Sequence, residues 1–259
     1  MVIRQFLIML FSLFLINNSV SAQSDSQLSN PYLEQLPKWA SVLERFVDDQ
    51  GRINFAALLE DRADLDAFVG AIEAVSPAAN PELFDSRDQV LAYHVNAYNA
   101  LAMKGVIDRN IPKNFSTFFK RAGFFKFRKV IIGGKTTDLH AYENKVIRPI
   151  GEARMHFVLN CMVRDCPRLP RTPFYASSMQ ADLTKAAVEF FTREKHTRVD
   201  NQAKKLHLSG IMKFYTKDYV PSGKKQDLLA YVNQFRQDKV PSDYKVSYIK
   251  YDWTINKQP

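Results

Sequence analysis

The sequence lacks the short motifs that identify the commonest enzyme classes. It contains no GxSxG, HExxH, P-loop or GxGxxG pattern, which removes the main grounds for a serine hydrolase, a zinc protease or a nucleotide-binding protein. It has only two cysteines and no HxxxH spacing, so a metal site is a weak hypothesis. No repeat, low-complexity block or linker divides the chain. The sequence therefore indicates no cofactor, and its function has to be sought in less specific features.

The longest apolar run lies at the N-terminus and is too short to cross a membrane. Arg4 precedes this run, and a polar stretch with small residues follows it as far as Ala22. This order is typical of a secretory signal peptide, since a membrane-spanning helix needs about 20 apolar residues. We expect residues 1–22 to be removed and the mature protein to be periplasmic or secreted, without a transmembrane segment. No lipobox cysteine follows the run, so lipid anchoring has no support.

The rest of the chain is expected to be a polar leader over residues 23–36 and a single globular domain over residues 37–259. Helices outnumber strands in the apolar periodicity, and the strands do not alternate regularly with the helices. This pattern favours the α+β class, with helices predominating around a small, mostly antiparallel sheet. The clearest helices are predicted at residues 38–47, 62–76, 86–106 and 177–195, with a Gly-Gly hairpin at 128–139 and a buried strand at 154–161.

The predicted helix at 86–106 carries Asn96 and Asn99 in its middle, although asparagine is a weak helix former. Buried amides and charges need partners, so polar residues in otherwise apolar elements are candidates for one cluster. A pocket built from them would suit a small polar or peptide-like ligand, or a partner protein. An internal network that fixes the helices to the sheet is the alternative. The candidate ligand-binding residues are Asn96, Asn99, Glu143, Arg148, Arg154 and Asn160.

Cys161 and Cys166, separated by four residues in "NCMVRDCP", allow two interpretations. In an oxidising compartment they are predicted to form a disulfide across a tight turn. Alternatively, one of them is the nucleophile of a hydrolase or transferase, with His94 or His140 as a candidate base. His156 is a poor candidate, because a regular strand would point it away from Cys161.

The chain is basic, with a formal net charge of +9. Such a charge favours anionic partners, but in an exported protein we expect no nucleic acid. Residues 118–129 interleave phenylalanines with five cations, which suits an anionic surface or polymer. The alternative is an edge strand and loop with its aromatics in the core and its cations in solvent. The five cations are Lys120, Arg121, Lys126, Arg128 and Lys129.

Several stretches together resemble the domain-of-unknown-function 547 family. They are "DDQGRINFAAL", "LAYHVNAYNAL", "DLHAYENKVIR", "ARMHFVLNCMVRDCPRL", "LHLSGIMKFY" and "YIKYDWTIN". They occur in the family's order and span most of the expected mature chain. The family is widespread in bacteria and also occurs in plants, and the resemblance implies no particular reaction.

The resemblance also extends to single positions. The chain departs from the family pattern at position 94, commonly a large aromatic and here His94, and at position 144, often histidine and here Asn144. A mechanism that used a histidine at position 144 is therefore closed to this chain. The positions that match are Asn96, Tyr98, Asn99, Glu143, Arg148, Arg154, Asn160, Cys161, Cys166 and Pro167.

Overall fold

The structure is a computed structural model that describes residues 29–259. The expected signal peptide over residues 1–22 lies outside the described residues. Residues 23–28 of the expected leader also lie outside the described residues.

Four helices form the first half of the fold. The first helix begins at Pro31, earlier than the predicted residue 38, because Asn30 caps it and proline suits the first helical position. It therefore starts inside the segment that we expected to be a leader. Tyr32 and Leu36 of this helix are buried in the core. The four helices are α1 (Pro31–Phe46), α2 (Phe55–Glu60), α3 (Ala63–Ala74) and α4 (Arg87–Ile107).

Helix α4 is the central element of the domain. Ser86 and Gln89 form a capping box at its start. The sequence predicts a broad apolar face on this helix, whereas the structure buries it on all sides from Leu91 to Ile107, apart from Lys104. A helix buried all round places its polar side chains inside the protein. The two asparagines are therefore interior groups.

The middle of the chain is made of short helical turns and one hairpin. The hairpin joins β1 (Lys129–Ile132) to β2 (Lys135–Asp138), and Gly133 and Gly134 have the positive φ angles that its turn requires. Before it lie α5 (Phe118–Ala122) and a π-helical turn (Gly123–Phe127). After it lie α6 (Leu139–Tyr142), a second π-helical turn (Glu143–Ile147) and a 3₁₀ turn (Arg148–Ile150). The predicted hairpin is confirmed.

The predicted strand at residues 154–161 is wrong. Residues Ala153–Phe157 form a 3₁₀ helix, and the chain that follows is irregular. Residues 155–160 are all buried, so the apolar alternation did not reflect a sheet with one exposed face. The backbone of this segment hydrogen-bonds to a side chain of α4 instead of to a neighbouring strand.

The C-terminal part packs a second, smaller sheet against helices. Strand β4 pairs antiparallel with β3 and parallel with β5. Strand β5 ends at Tyr248, and the chain beyond it returns to the first half through isolated bridges. The elements are α7 (Met179–Thr192), β3 (Thr197–Asp200), β4 (Lys205–Leu208), α8 (Gly210–Phe214), α9 (Thr216–Tyr219), α10 (Leu228–Phe235) and β5 (Lys245–Tyr248).

The fold is a mixed α+β domain, as predicted, although the five strands found in residues 29–259 are divided between a two-stranded and a three-stranded sheet. A large apolar core surrounds α4, and a smaller one lies between α7, α10 and the second sheet. Of the helices that the structure describes, none combines the length and hydropathy needed to span a membrane.

Candidate functional site

A cavity of about 390 Å³ lies where the two halves of the fold meet. Its walls come from α5, the two π-helical turns, α8, the cysteine loop and the C-terminal segment. This volume is within the range of small-molecule sites. The aromatic side chains that line it are Tyr98, Phe118, Phe125, Phe214, Tyr215, Tyr251 and Trp253. The ionisable and amide side chains that line it are Arg121, Lys126, His140, Glu143, Asn144, Arg148, His156, Cys161 and Cys166.

Glu143 is the carboxylate of this cavity. It is 8% exposed and accepts hydrogen bonds from the hydroxyl groups of Tyr98, at 3.1 Å, and Tyr215. Burial, followed by the charge of Glu143, raises the pKa of both tyrosines well above the ordinary value. Both phenols therefore remain protonated donors. Glu143 is held in place by two neutral hydroxyl groups.

Arg148 enters the cavity wall with its charge already compensated. Its Nε and Nη2 donate to the two carboxylate oxygens of Asp218 at 2.6 and 2.7 Å. His156 Nε2 lies 2.8 Å from the same carboxylate, and the His156 ring stacks on Tyr215 at 3.9 Å. Burial opposes ionisation of Asp218, but hydrogen bonds from Arg148 and His156 outweigh it and hold the pKa of Asp218 well below its usual range. This bidentate pair is a fixed part of the wall.

The cysteine loop is held closed by Asn160. Its amide donates to Pro167 O at 2.7 Å and accepts from Met162 N at 2.8 Å, so one side chain joins the two ends of the loop. Cys161 Sγ and Cys166 Sγ are 2.7 Å apart. Both are free cysteines, so the predicted disulfide is not formed in this structure.

The contact between the two thiols changes the pKa of both in opposite directions. Burial opposes ionisation of Cys166, but hydrogen bonds from Cys161, the Val163 backbone and Tyr251 lower the pKa of the Cys166 thiol. The hydrogen bond to Cys166, together with burial, raises the pKa of Cys161 well above its ordinary value. The pair as a unit therefore loses its first proton readily and keeps its second.

Neither sulfur touches a general base. Within residues 29–259, the hydrogen-bond partners of the two sulfurs are each other, the backbones of Cys161 and Val163, and the Tyr251 hydroxyl. His94 is not brought to the cysteines: its Nδ1 lies 2.7 Å from the Tyr142 hydroxyl, inside the core. Burial lowers the pKa of His94 to about 4. His94 is a packed core residue, and a cysteine hydrolase that used it as base has no geometric support.

Asn96 and Asn99 act inside the protein as substitutes for backbone groups. The Asn96 amide accepts from Phe174 N and donates to Phe174 O, at 3.0 and 2.8 Å. The Asn99 amide accepts from Asn160 N at 2.7 Å and donates to Val158 O at 3.0 Å. Each therefore pairs with an irregular segment as a strand would. Neither lines the cavity, so the structure shows the internal-network alternative for these two residues, and Asn160 serves the loop in the same way.

Arg154 also lies outside the cavity lining. It makes a bidentate ion pair with Glu152 and donates to Gln180 and Thr184 of α7. Of the six predicted ligand-binding residues, only Glu143 and Arg148 reach the cavity. Arg154 instead ties the 3₁₀ helix to α7.

The basic and aromatic run is not the edge strand and loop of our second interpretation, since most of it is α5 and the following π-helical turn. Phe124 is buried, but Phe118, Phe119 and Phe127 are 66%, 83% and 73% exposed. The segment that forms one wall of the cavity therefore also presents aromatic rings to solvent.

The five cations of this run differ in their partners. Arg128 contacts Leu101 O and Asp108, and Lys129 contacts Asp138. Arg121 donates to two backbone carbonyls and lies over the Trp253 ring, and Lys120 donates to Asn114. Within the described part of the chain, Lys126 has neither a hydrogen bond nor an ion pair. Three cations, Lys120, Arg121 and Lys126, thus lack a carboxylate partner among residues 29–259.

Sequence reasoning missed His156 as a cavity residue and did not consider Asp218 or Tyr215. His156 was excluded because a strand would point it away from Cys161, whereas in the structure His156 lies in a 3₁₀ helix and lines the same cavity as Cys161. Asp218 and Tyr215 meet their partners across about 70 residues of sequence, and no local pattern identifies them. Tyr251 lies in a stretch that supported the family resemblance, so that signal was present in the sequence.

The described residues contain no group of three or more His, Cys, Asp or Glu side chains placed to hold a metal ion. The cavity is thus defined by aromatic rings, a buried carboxylate, cations and two thiols. The fold and this site together define an α+β domain with a cavity of small-molecule size that opens onto a dithiol.

The family comparison agrees with the resemblance predicted from the sequence. The family model described as "Protein of unknown function, DUF547" matches residues 83–191 of the chain, which supports membership of this family. The matched segment includes α4, Glu143 and the cysteine loop, whereas Tyr215 and Tyr251 lie beyond it. No curated protein and no solved structure matches the chain significantly.

Proposed function

We propose that the protein binds a small organic anion with an apolar or aromatic body in this cavity. The observation that carries the proposal is the pairing of charges around it. Arg148 is neutralised by Asp218, whereas Arg121 and Lys126 line the cavity without a carboxylate partner among the described residues. Two uncompensated cations beside aromatic walls favour an anionic group on an apolar ligand.

The sequence predicted a peptide-like ligand that the asparagine amides would bind. Because these asparagines are engaged in internal hydrogen bonds, they do not contact such a ligand. The remaining polar groups are Glu143 and the side chains at the cavity edge. Glu143 accepts two hydrogen bonds, and since a carboxylate accepts about four, up to two sites are left for donors of the ligand. The ligand that fits best is therefore an amphiphilic anion with at most one or two donors.

The test uses 1-anilinonaphthalene-8-sulfonate, an aromatic anion whose fluorescence rises in apolar sites. We expect saturable binding to the wild type and about tenfold weaker binding to Lys126→Glu, because one charge reversal at a partly solvated site is worth about 1.4 kcal/mol. Lys205→Glu on β4 makes the same change of net charge far from the cavity lining and should bind as the wild type does. Equal affinities of all three proteins would contradict the proposal.

A further control separates the cavity from the exposed phenylalanines. Phe119 is exposed and does not line the cavity, so Phe119→Ser should leave binding of the probe unchanged. Loss of binding in Phe119→Ser, with no effect of Lys126→Glu, would assign the probe to the outer surface and overturn the cavity proposal.

A second candidate function is attachment to an anionic membrane surface. The observation that favours it is the exposure of Phe118, Phe119 and Phe127 beside Lys120 and Lys126. Aromatic rings with neighbouring cations are the composition of interfacial membrane-binding segments. Attachment at this site would place the cavity edge against the lipid headgroups.

The test is co-sedimentation with phosphatidylglycerol vesicles at low and high salt. Binding should fall steeply between the two salt concentrations, because the attraction between exposed charges is screened. A double variant, Phe119→Ser with Phe127→Ser, should bind several-fold less, whereas Val188→Ser, which changes an exposed apolar residue of α7, should bind normally. Salt-independent binding, or none, would remove this candidate.

Export of the protein is part of the proposal. The support is the order of charged, apolar and small residues before Ala22. Mass spectrometry of protein from the exported fraction should give an N-terminus at Gln23. An intact N-terminus in that fraction would contradict cleavage.

A further inference from the structure

We infer that Cys161 and Cys166 form a redox-active dithiol that exchanges electrons with disulfide-bearing molecules entering the cavity. The inference concerns the same cavity as the proposed ligand, but it does not depend on the charge of that ligand. It rests on the geometry of the loop, on the position of the two sulfurs in the cavity wall and on the groups that contact them.

The loop is built so that the two sulfurs meet without chain movement. Asn160 closes the loop, and the C-terminal segment fixes it from outside through Arg164 N to Thr254 O at 2.8 Å and Asn256 N to Met162 O at 3.0 Å. The dithiol and a disulfide can therefore share nearly one backbone. Oxidation to the disulfide therefore needs little further ordering of the chain, and reduction returns little chain entropy.

Met162, inside the loop, has a φ of +68°. Non-glycine residues rarely adopt this left-handed conformation, which persists only where surrounding contacts impose it. Here the Asn160 side chain accepts from Met162 N, and Asn256 N donates to Met162 O. The strained residue thus lies between the two cysteines in the chain, and its conformation helps to bring the two sulfurs close together.

Access distinguishes the two sulfurs. Both cysteines line the cavity, but Cys161 is half-buried whereas Cys166 is 3% exposed. Cys166 Sγ accepts from the Cys161 backbone N–H at 3.1 Å and from the Tyr251 hydroxyl at 3.6 Å. The buried sulfur is the better site for negative charge, and the accessible sulfur can pass its proton to it across 2.7 Å.

The exchange proceeds in two balanced steps. Cys161 gives its proton to the Cys166 thiolate and attacks one sulfur of the incoming disulfide, so a mixed disulfide forms and the first half of the substrate leaves as a thiolate that takes a proton from solvent. Cys166 then loses its proton and attacks Cys161 Sγ, which releases the second half as a thiol. The protein is left with a Cys161–Cys166 disulfide. Two electrons pass from the protein to the substrate, and of the two protons taken up by the product thiols one comes from the dithiol and one from solvent.

The experiment treats reduced wild-type protein with oxidised glutathione and quenches it by alkylation for mass spectrometry. We expect an intramolecular disulfide without retained glutathione. Mixtures of reduced and oxidised glutathione should give measurable populations of both protein forms. An inert dithiol would overturn the inference. So would a disulfide that glutathione cannot reduce at any ratio, because such a bond is a structural staple. This measurement needs no variant.

Two serine variants assign the roles, with circular dichroism as the check of folding. Cys166→Ser should accumulate a mixed disulfide with glutathione on Cys161, because the resolving thiol is gone. Cys161→Ser should react at least tenfold more slowly than Cys166→Ser. Equal rates, with glutathione on Cys166, would overturn the assignment of the attacking sulfur.

Tyr251→Phe is the matching test of a positioning residue. It removes the hydroxyl that donates to Cys166 and keeps the ring. The pH profile of the exchange rate in this variant should have its midpoint at a higher pH than in the wild type. At a pH where the thiol is fully ionised, the two rates should become nearly equal. An unchanged pH profile would show that the hydroxyl has no part in the exchange.

Discussion

The asparagines of α4 show how a polar residue inside a helix can determine the structure of a distant segment. Asn99 supplies one donor and one acceptor to the backbone at Val158 and Asn160. That backbone has no strand partner, and buried peptide groups without hydrogen bonds are costly. The asparagine thus fixes the start of the cysteine loop without touching either cysteine.

Asn99→Ala should lower the free energy of unfolding by about 3 kcal/mol, because it leaves a buried carbonyl and a buried N–H without partners, at about 1 to 3 kcal/mol each. Chemical denaturation measures this. Asn144→Ala, a half-buried asparagine of the cavity wall, should cost about 0.5 kcal/mol. Similar losses for the two variants would contradict the structural role given to Asn99.

His196 is a buried histidine whose ring nitrogens have no hydrogen-bond partner within residues 29–259. Its ring stacks on Phe190 at 4.3 Å. His196→Phe should keep this stacking, remove two unsatisfied polar atoms and raise the free energy of unfolding at pH 7 by about 1 kcal/mol. His207→Phe is the contrast, since it removes the contact of His207 with Ser247 Oγ at 2.8 Å and should not stabilise. A less stable His196→Phe would show that the ring nitrogens have partners in solution.

At this scale the sequence indicated that Asn96 and Asn99 need partners, because asparagine is unfavourable inside a helix. It did not identify those partners, which lie about 60 to 80 residues away. The same limit applies to the cavity. The sequence identified Glu143 and Arg148 as polar residues in otherwise apolar elements. No local pattern identifies Asp218, which neutralises Arg148.

At the scale of elements, Gly51 joins the end of the α1 region to the chain that follows the cysteine loop. Its φ is +74°, and a Cβ at this position would lie 2.8 Å from Leu169 N and 3.0 Å from Leu169 O. Gly134 in the hairpin turn has nearly the same φ, +72°, with nothing within 4 Å of a Cβ. The two glycines therefore share a backbone conformation and differ in packing.

Gly51→Ala should cost about 2 kcal/mol more stability than Gly134→Ala. Both variants add the strain of a left-handed residue with a side chain, but only the first forces two backbone segments apart. Thermal and chemical denaturation of the pair measure the difference. Equal losses would mean that the Gly51 turn does not pack against residue 169.

Elements with a strong local signal were predicted well, and those defined by distant contacts were not. The Gly-Gly hairpin depends on turn chemistry that is contained in the sequence itself. Residues 154–161 alternate like a strand, yet residues 155–160 are all buried, and the backbone of Val158 and Asn160 hydrogen-bonds to Asn99. The same error separated His156 from Cys161, because the predicted strand placed them on opposite faces.

At the scale of the whole molecule, two buried histidines make stability depend on pH. Burial lowers the pKa of His94 to about 4 and that of His196 to about 3, whereas both have the ordinary value of about 6.5 in the unfolded chain. Above that value both states are neutral and the full stability is present. As the pH falls from about 6.5 towards 4, only the unfolded state takes up protons, so the stability is lost progressively.

We expect the free energy of unfolding to fall by about 1 kcal/mol per pH unit for each histidine between pH 6 and 4.5. Denaturant titrations at several pH values measure this slope. His196→Phe should reduce it by about half, while a surface variant such as Lys205→Glu should leave it unchanged. A stability that rises on acidification would contradict the burial of both rings.

The central claim is that the cavity beside Cys161 is the functional site of the protein. The most direct measurement is the rate at which iodoacetamide alkylates Cys161 in the reduced protein, with and without 1-anilinonaphthalene-8-sulfonate at a saturating concentration. The account predicts that Cys161 reacts in the folded protein, that the probe slows this reaction severalfold, and that Lys126→Glu reduces the protection. Alkylation at an unchanged rate with the probe bound, or no alkylation of the folded protein, would contradict it.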